Sequence, residues 1–298
     1  MRILITGSNG MLGSDLVEVL DLNYEVLGIG SSPNKHSITY LQTDITNQAL
    51  VFDSVKKLKP AIIIHAAAYT DVDGCELNPH KAFQVNVKGT EFIARAANEV
   101  GSVLFLISTD YVFDGAKATP YVEIDTPSPI SVYGRSKWEA EGIVQAISHS
   151  AWIIRSSWLF GANGKNFFRS ILQHAKQGTE LSVVNDQTGA PTYTKDLAQG
   201  IQVLIEKGRR VKGWEIYHLA NDGQTTWHDA AVRCLTKLGV RYNVKSINSK
   251  VLNRPAKRPA NSIFDMTKIR GAYDIKLRSW DQALDEFSKT TLKDEWKN

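Results

Sequence analysis

The chain has 298 residues, 43% of them hydrophobic, and its 35 basic and 31 acidic side chains leave a formal charge of +4. This composition excludes a disordered or fibrous chain, and basic residues scattered this thinly make no nucleic-acid stripe, though they suit an anionic small substrate. Cys75 and Cys234 are the only cysteines, too few for a disulfide framework or a Cys-rich zinc site, and no metal is expected.

Short β-branched runs alternate with longer helical patterns through the first half, the signature of βαβ units and a parallel sheet. In chain order the pattern predicts strand Arg2–Thr6, helix Met11–Leu20, strands Tyr24–Ile29 and Ile38–Gln42, helix Asn47–Leu58, strand Ala61–His65, helix Pro79–Val100, strand Val103–Ser108, helix Ser131–Ser148 and strand Ala151–Arg155. The expected fold is α/β of Rossmann type, a doubly wound parallel sheet with ligands at the carboxyl ends of its strands. Beyond residue 156 the alternation loosens into helix Asn166–Gln177, strand Leu181–Val184, helix Lys195–Lys207, strand Glu215–Leu219 and helix Thr226–Leu238, and the proline-punctuated run Asn253–Ser262 reads as an ordered loop. Residues 1–156 are expected to form the nucleotide domain and residues 157–298 mainly a smaller C-terminal substrate lobe, partly interleaved with the sheet. The longest apolar stretch, Ala61 to Tyr69, is too short to span a bilayer, and MRILITG runs directly into a strand without the parts of a signal peptide; a cytoplasmic address with no membrane partner is expected.

Gly7, Gly10 and Gly13 of TGSNGMLG fall between the first strand and the first helix, the context that makes a glycine pattern a nucleotide-binding turn. Gly7 permits the turn, Gly10 lets the backbone approach a pyrophosphate, Gly13 lets the helix pack closely, and the helix N-terminus offers free amides to phosphate. In NAD-binding folds a carboxylate after the second strand bonds the ribose 2′-hydroxyl. Here Gly30–Ser37 has no carboxylate and offers Ser31, Ser32 and Lys35 to a 2′-phosphate, so NADPH is expected with NADH as the lesser partner. Lys35 alone serves equally well as an ordinary turn residue. Asp44, with Ile45 beside it, is placed to meet an adenine edge, or else acts as a turn or capping aspartate.

Tyr133 and Lys137 in VYGRSKWE lie four residues apart on one helix face, a spacing expected to let the ammonium stabilise a phenolate and lower the tyrosine pKa for proton transfer. Thr109, after the fifth strand, is placed to bond the same substrate oxygen. GSNGMLG, AAAYT, Asn86 in VNVKGT, STDYVFDG and YGRSK together resemble the extended short-chain dehydrogenases. AAAYTDVDGCE, STDYVFDG, RSSWLFG, VVNDQTGAPT and RPANS, in that order over essentially the whole chain, resemble more narrowly the dTDP-4-dehydrorhamnose reductase family. The resemblance implies hydride transfer from a nicotinamide to the C4 ketone of a nucleotide-linked deoxysugar, with Thr109, Tyr133 and Lys137 as the catalytic set and Asn86 in support. It implies cofactor contacts from Asn9, Met11, Leu12, Ala66, Ala67, Ala68 and Tyr69, and a substrate side that includes Asp110, Val112, Phe113, Trp158, Arg258 and the loop Asp186–Thr192. A homodimer is compatible with it.

Other residues carry plainer readings. His65 ends an apolar strand and is expected to be a satisfied core histidine. Asp71, Asp73 and Glu76 lack a histidine or thiol at ligand spacing and read as a solvated turn. Trp152, Trp214, Trp227 and Trp280 read as packing, whereas Trp158 follows the sixth strand at the ligand-facing edge. Two alternatives stay open: a non-catalytic NADP-binding regulatory subunit similar to the methionine adenosyltransferase β subunit, against which the intact Thr109, Tyr133 and Lys137 set argues, and an epimerase or dehydratase on the same scaffold. A dehydratase wants an acid pair beside the threonine, and Asp110 followed by Tyr111 does not supply one.

Overall fold

In the computed structural model, which describes residues 1–208 and 211–297, the β-branched runs form strands and the periodic segments between them form helices. The strands are β1 (Arg2–Thr6), β2 (Glu25–Gly30), β3 (Thr39–Gln42), β4 (Ile62–His65), β5 (Val103–Thr109), β6 (Ser150–Ser156), β7 (Leu159–Phe160), β8 (Leu181–Val184), β9 (Thr188–Gly189), β10 (Thr192–Tyr193), β11 (Gly213–His218), β12 (Thr225–Thr226) and β13 (Val244–Ile247). The helices are α1 (Met11–Leu20), α2 (Gln48–Leu58), α3 (Val72–Leu77), α4 (Pro79–Phe83), α5 (Gly89–Val100), α6 (Val132–Ile147), α7 (Phe167–Gln177), α8 (Thr194–Lys207), α9 (Trp227–Lys237), α10 (Ser249–Leu252), α11 (Thr267–Tyr273), α12 (Trp280–Phe287) and α13 (Lys293–Lys297). Arg209, Arg210 and Asn298, which fall within the expected substrate lobe, lie outside the described residues.

Seven strands pair in parallel in the order β11-β6-β5-β4-β1-β2-β3. Because side chains alternate across a strand, each run feeds two cores. Ile3, Ile5, Ile62, Ile64 and Phe105 pack with Leu16 of α1 and Leu197 and Ile201 of α8. Leu4, Ile63, Leu104 and Leu106 pack on the opposite face with Val51 and Val55 of α2, Ile93 and Ala97 of α5 and Val144 of α6. Each fully buried Leu or Ile contributes about 1.5–3 kcal/mol. The chain leaves β1 for β2 in one direction and reaches β4 in the other, so a crevice opens at the carboxyl ends of β1 and β4, where ligands bind in such sheets.

The remainder builds a second layer over that end. Parallel β8 and β13 pack with α7 and α9 around Ile171, Leu181, Ala231 and Leu235, and α12 closes another cluster with Phe160, Phe168 and Phe287. The single helix expected over Pro79–Val100 is interrupted by a π turn at Gln84–Lys88. There the Thr90 hydroxyl donates to the Asn86 carbonyl at 2.6 Å, and a Cβ on Gly89 would meet Ile45 Cδ1 at 2.8 Å. Helices α11 to α13 lie beyond the elements that periodicity predicts, and Ser279 with Gln282 forms a capping box that starts α12.

Candidate active site

The site begins at the glycine turn. Gly7 has φ +69°, and a Cβ there would lie 2.9 Å from Ala67 Cα. A Cβ on Gly13 would lie 2.1 Å from the Gly7 carbonyl oxygen, so α1 abuts the turn only because the side chain is absent. Gly10 caps α1 with no side-chain bond, leaving first-turn amides free for an anion. In front of them opens a cleft of about 1020 Å³. Gly7, Asn9, Gly10, Met11 and Leu12 line its floor; Ser31, Ser32, Asp44 and Ile45 line one end, and Ala66, Ala67 and Ala68 one wall. This cradle fits a dinucleotide.

Several cofactor-side residues act one step back. The Asn9 amide donates to the Pro33 carbonyl at 2.8 Å and its Oδ1 accepts the Lys35 backbone N–H, pinning the loop that carries Ser31 and Ser32. The Lys35 side chain is not among the lining groups. Asp44 Oδ1 accepts the N–H and hydroxyl of Thr46, while the capping role at α2 belongs to Asn47. Asn86, buried in the π turn, brackets the Tyr69 backbone: its Oδ1 accepts the Tyr69 N–H at 2.7 Å, and its Nδ2 donates to the Tyr69 carbonyl and to Ser136 Oγ. His65 is a relay of hydrogen bonds. The Ala67 N–H donates to Thr6 Oγ1, which bonds His65 Nδ1 at 2.7 Å, while Nε2 bonds Thr90 Oγ1 at 3.1 Å. Since Thr90 spends its proton on the Asn86 carbonyl, the network assigns a neutral imidazole protonated at Nε2.

At the inner end of the cleft stand Thr109, Tyr133 and Lys137, all more than nine-tenths buried. Lys137 Nζ donates to the Ile107 carbonyl at 2.8 Å. Burial pushes it down to about 8, against the pull of the Glu141 carboxylate. The expected fall of the tyrosine pKa is corrected: burial and the Asp110 carboxylate push Tyr133 above its ordinary value, and a hydrogen bond with Thr109 offsets this only in part. Tyr133 therefore holds its proton firmly. Asp110, itself pushed up to about 6 by burial, accepts the Thr109 hydroxyl at 3.0 Å.

A second cavity, of about 770 Å³, adjoins the first, with Tyr111 and Trp227 bordering both. Phe167, Lys250, Arg254, Lys257 and Arg258 line it. Arg258 reaches it while its guanidinium pairs with Asp73 at 2.9 Å, and Asp73 also accepts the Ala256 N–H. The solvated acidic turn is thus corrected: Asp73 anchors the basic loop, Asp71 caps α3, and Glu76 accepts the Val132 N–H at 2.7 Å at the start of α6. Trp158 lines the first cavity with a left-handed backbone, φ +50°, stacked on Trp227 at 3.6 Å and 7°. Trp227, expected to be packing, does pack on Trp158 and also borders both cavities, a placing that spacing did not reveal. Val112 and Phe113 do not line the site as expected. The short helical turn after β5 rotates both inward, where Phe113 stacks on Tyr121 at 4.2 Å and Val112 is fully buried.

A doubly wound parallel sheet, a glycine turn at its switch point and a Tyr–Lys pair on the helix before β6 define a fold of the extended short-chain dehydrogenase type. The chain belongs to the family described as RmlD substrate binding domain, whose model matches residues 1–292. It is 41% identical over 294 residues to a dTDP-4-dehydrorhamnose reductase of Aggregatibacter actinomycetemcomitans, covering 95% of this chain and 97% of that protein. A dTDP-4-dehydrorhamnose reductase of Bacillus anthracis, solved in complex with NADP, superposes with a TM-score of 0.90 at 35% identity, covering 97% of this chain and 99% of that one. A UDP-galactose 4-epimerase at 20% identity superposes with a TM-score of 0.85 over 99% of this chain and 100% of that one, a likeness of fold alone.

Proposed function

We propose that the protein is an NADPH-dependent reductase of the C4 ketone of a nucleotide-linked deoxysugar, converting dTDP-4-dehydro-L-rhamnose to dTDP-L-rhamnose. The observation that carries this reading is the placing of Thr109, Tyr133 and Lys137 at the inner end of a dinucleotide-sized cleft that adjoins a basic cavity. The relatives named dTDP-4-dehydrorhamnose reductase support the substrate, and the neighbour solved with NADP supports the cofactor.

In this reading the turn from Gly7 to Gly13 receives the pyrophosphate, Ser31 and Ser32 the 2′-phosphate, and Asp44 and Ile45 the adenine, with Ala66 to Ala68 along the wall. When bound, NADPH supplies the hydride. Lys250, Arg254 and Arg258 offer cationic donors to the sugar's diphosphate, and Trp158 and Trp227 pack against its apolar face. As negative charge gathers on the former ketone oxygen, the Tyr133 hydroxyl gives it a proton and Thr109 holds it in place. Lys137, tethered to the Ile107 carbonyl, has two further N–H donors for the nicotinamide ribose and the tyrosinate left behind. Residues 1–156 supply most of the cofactor side and residues 157–298 most of the substrate side, interleaved through β11.

Among the described residues no helix is long and apolar enough to cross a membrane. The proposal adds a cytoplasmic place of work and a homodimer as the assembly to test by light scattering. The decisive assay mixes the pure protein with NADPH and dTDP-4-dehydrorhamnose and follows nicotinamide absorbance. Steady oxidation is expected; tight NADPH binding without turnover would hand the chain to the regulatory-subunit reading.

A further inference from the structure

Beneath the Tyr–Lys pair lies a charged cluster that the proposed reaction does not use. Glu141 sits one helical turn beyond Lys137 on α6, and Arg155 on β6; both are essentially inaccessible to water. Glu141 Oε1 accepts the Ser108 hydroxyl at 2.5 Å and Arg155 Nε at 2.9 Å, and Oε2 accepts Arg155 Nη2 at 2.7 Å. Ser108 and Arg155 are register partners on neighbouring strands. One carboxylate therefore ties α6, β5 and β6 together at a single level of the sheet.

That level is the one the chemistry needs. Ser108 stands between Ile107, whose carbonyl holds the Lys137 ammonium, and Thr109, which bonds Tyr133. A buried ion pair adds little net stability over apolar residues of the same size, so stability alone is a poor reason for one in a sheet otherwise packed with Ile, Leu and Phe. We propose that Glu141 is a positioning residue for the reaction: gripped by Ser108 and Arg155, it holds Lys137 against the Ile107 carbonyl and keeps its ammonium charged in the desolvated site. This rests on the reductase reading in so far as Lys137 serves the catalysis.

The surrounding charges are consistent with the role. Desolvation pushes Lys137 down to about 8, and Glu141 is the neighbour whose charge opposes that fall. His65, facing from β4, is pushed down to about 3 by burial and by Lys137 itself, so it is neutral over the working range. Tyr133 on α6 is pushed up by burial and stays neutral, and Asp110 at the end of β5, pushed up to about 6, has ionised before Lys137 titrates. Replacing Glu141 by a neutral residue leaves Lys137 near an unpaired guanidinium, so its proton leaves at lower pH.

The test is a pH titration by NMR of protein labelled with 13C-lysine, without sugar, the Lys137 signal being assigned from its loss in Lys137→Arg. In Glu141→Gln the midpoint is expected to fall by about 1–3 units from the wild type. The double variant Glu141→Gln/Arg155→Met removes both charges, avoids the unpaired guanidinium and is expected to show a smaller fall in the same direction. In turnover, the alkaline limb of kcat/KM should move with the NMR midpoint in each variant. A wild-type midpoint in either variant, folded by circular dichroism, overturns the proposal, since a purely structural clamp would lower Tm and leave the titration in place. The NMR arm needs no substrate, so a wild type that fails to reduce the sugar would refute the reductase reading without touching this measurement.

Discussion

Tyr133 shows how burial can keep a proton donor protonated until a substrate oxygen draws the proton away. Its ring packs edge-on to Tyr111 at 5.4 Å and its hydroxyl is shut away from water next to an acid, so the neutral phenol is favoured until charge develops on a substrate oxygen. Tyr133→Phe is expected to cut turnover by about 10²–10⁴ while NADPH affinity, read by fluorescence titration, stays near wild type. At the other wall, Trp227→Ala should raise the KM for the sugar nucleotide several-fold and perturb Trp158→Ala less than additively, because each ring is the other's support. Steady-state kinetics of the two single variants and the double check this, and strict additivity would mean that the rings act separately. The Tyr–Lys spacing was legible because helix geometry puts i and i+4 on one face. The Asp73 pairing with Arg258 was not, since its partners are far apart in sequence and no local period links them.

Strands and helices were read with little error where one local force decides. The termini of β1 and α1 match expectation, because β-branched runs and a glycine turn mark them without competition. The π turn at Gln84–Lys88 was invisible, because what makes it is tertiary: Asn86 must reach Tyr69 while Gly89 presses on Ile45. Extra-residue turns of this sort are frequent at functional sites. The glycine turn gives this scale its prediction. Gly7→Ala places a methyl against Ala67 and forces a left-handed backbone on a residue that resists it, so NADPH affinity should collapse. Stability should fall by about 1–3 kcal/mol, the range for a strained backbone residue. Isothermal titration together with a urea melt separates the two losses, and unchanged affinity would remove the turn from the cofactor site.

The molecule as a whole carries two imidazoles with no easy way to accept a proton. Burial and the nearby Lys137 hold His65 down to about 3, and burial and Arg155 hold His218 down to about 3. In the unfolded chain both titrate near 6.5, so below that pH the unfolded state takes up protons that the folded state refuses. Their contribution is complete above about pH 6.5 and is lost as pH falls toward 3, costing about 2 kcal/mol per histidine between pH 7 and pH 5. Urea midpoints at the two pH values should show a smaller drop in His218→Gln than in the wild type; equal drops would assign the acid sensitivity to carboxylates instead. The seventh strand of the sheet has a consequence for how the protein is made. β11 covers the β6 edge, pairing residue for residue from Gly213 with Ser150 to His218 with Arg155, yet it is synthesised after α7, β8 and α8. On the ribosome residues 1–156 therefore wait with the β6 edge open, its backbone groups unpaired on that side and Ala151 to Ile154 apolar, the kind of surface on which nascent chains associate. Helix α7, strand β8 and helix α8 must all emerge before β11 can cover β6, so the sheet and the layer above its carboxyl end are completed together.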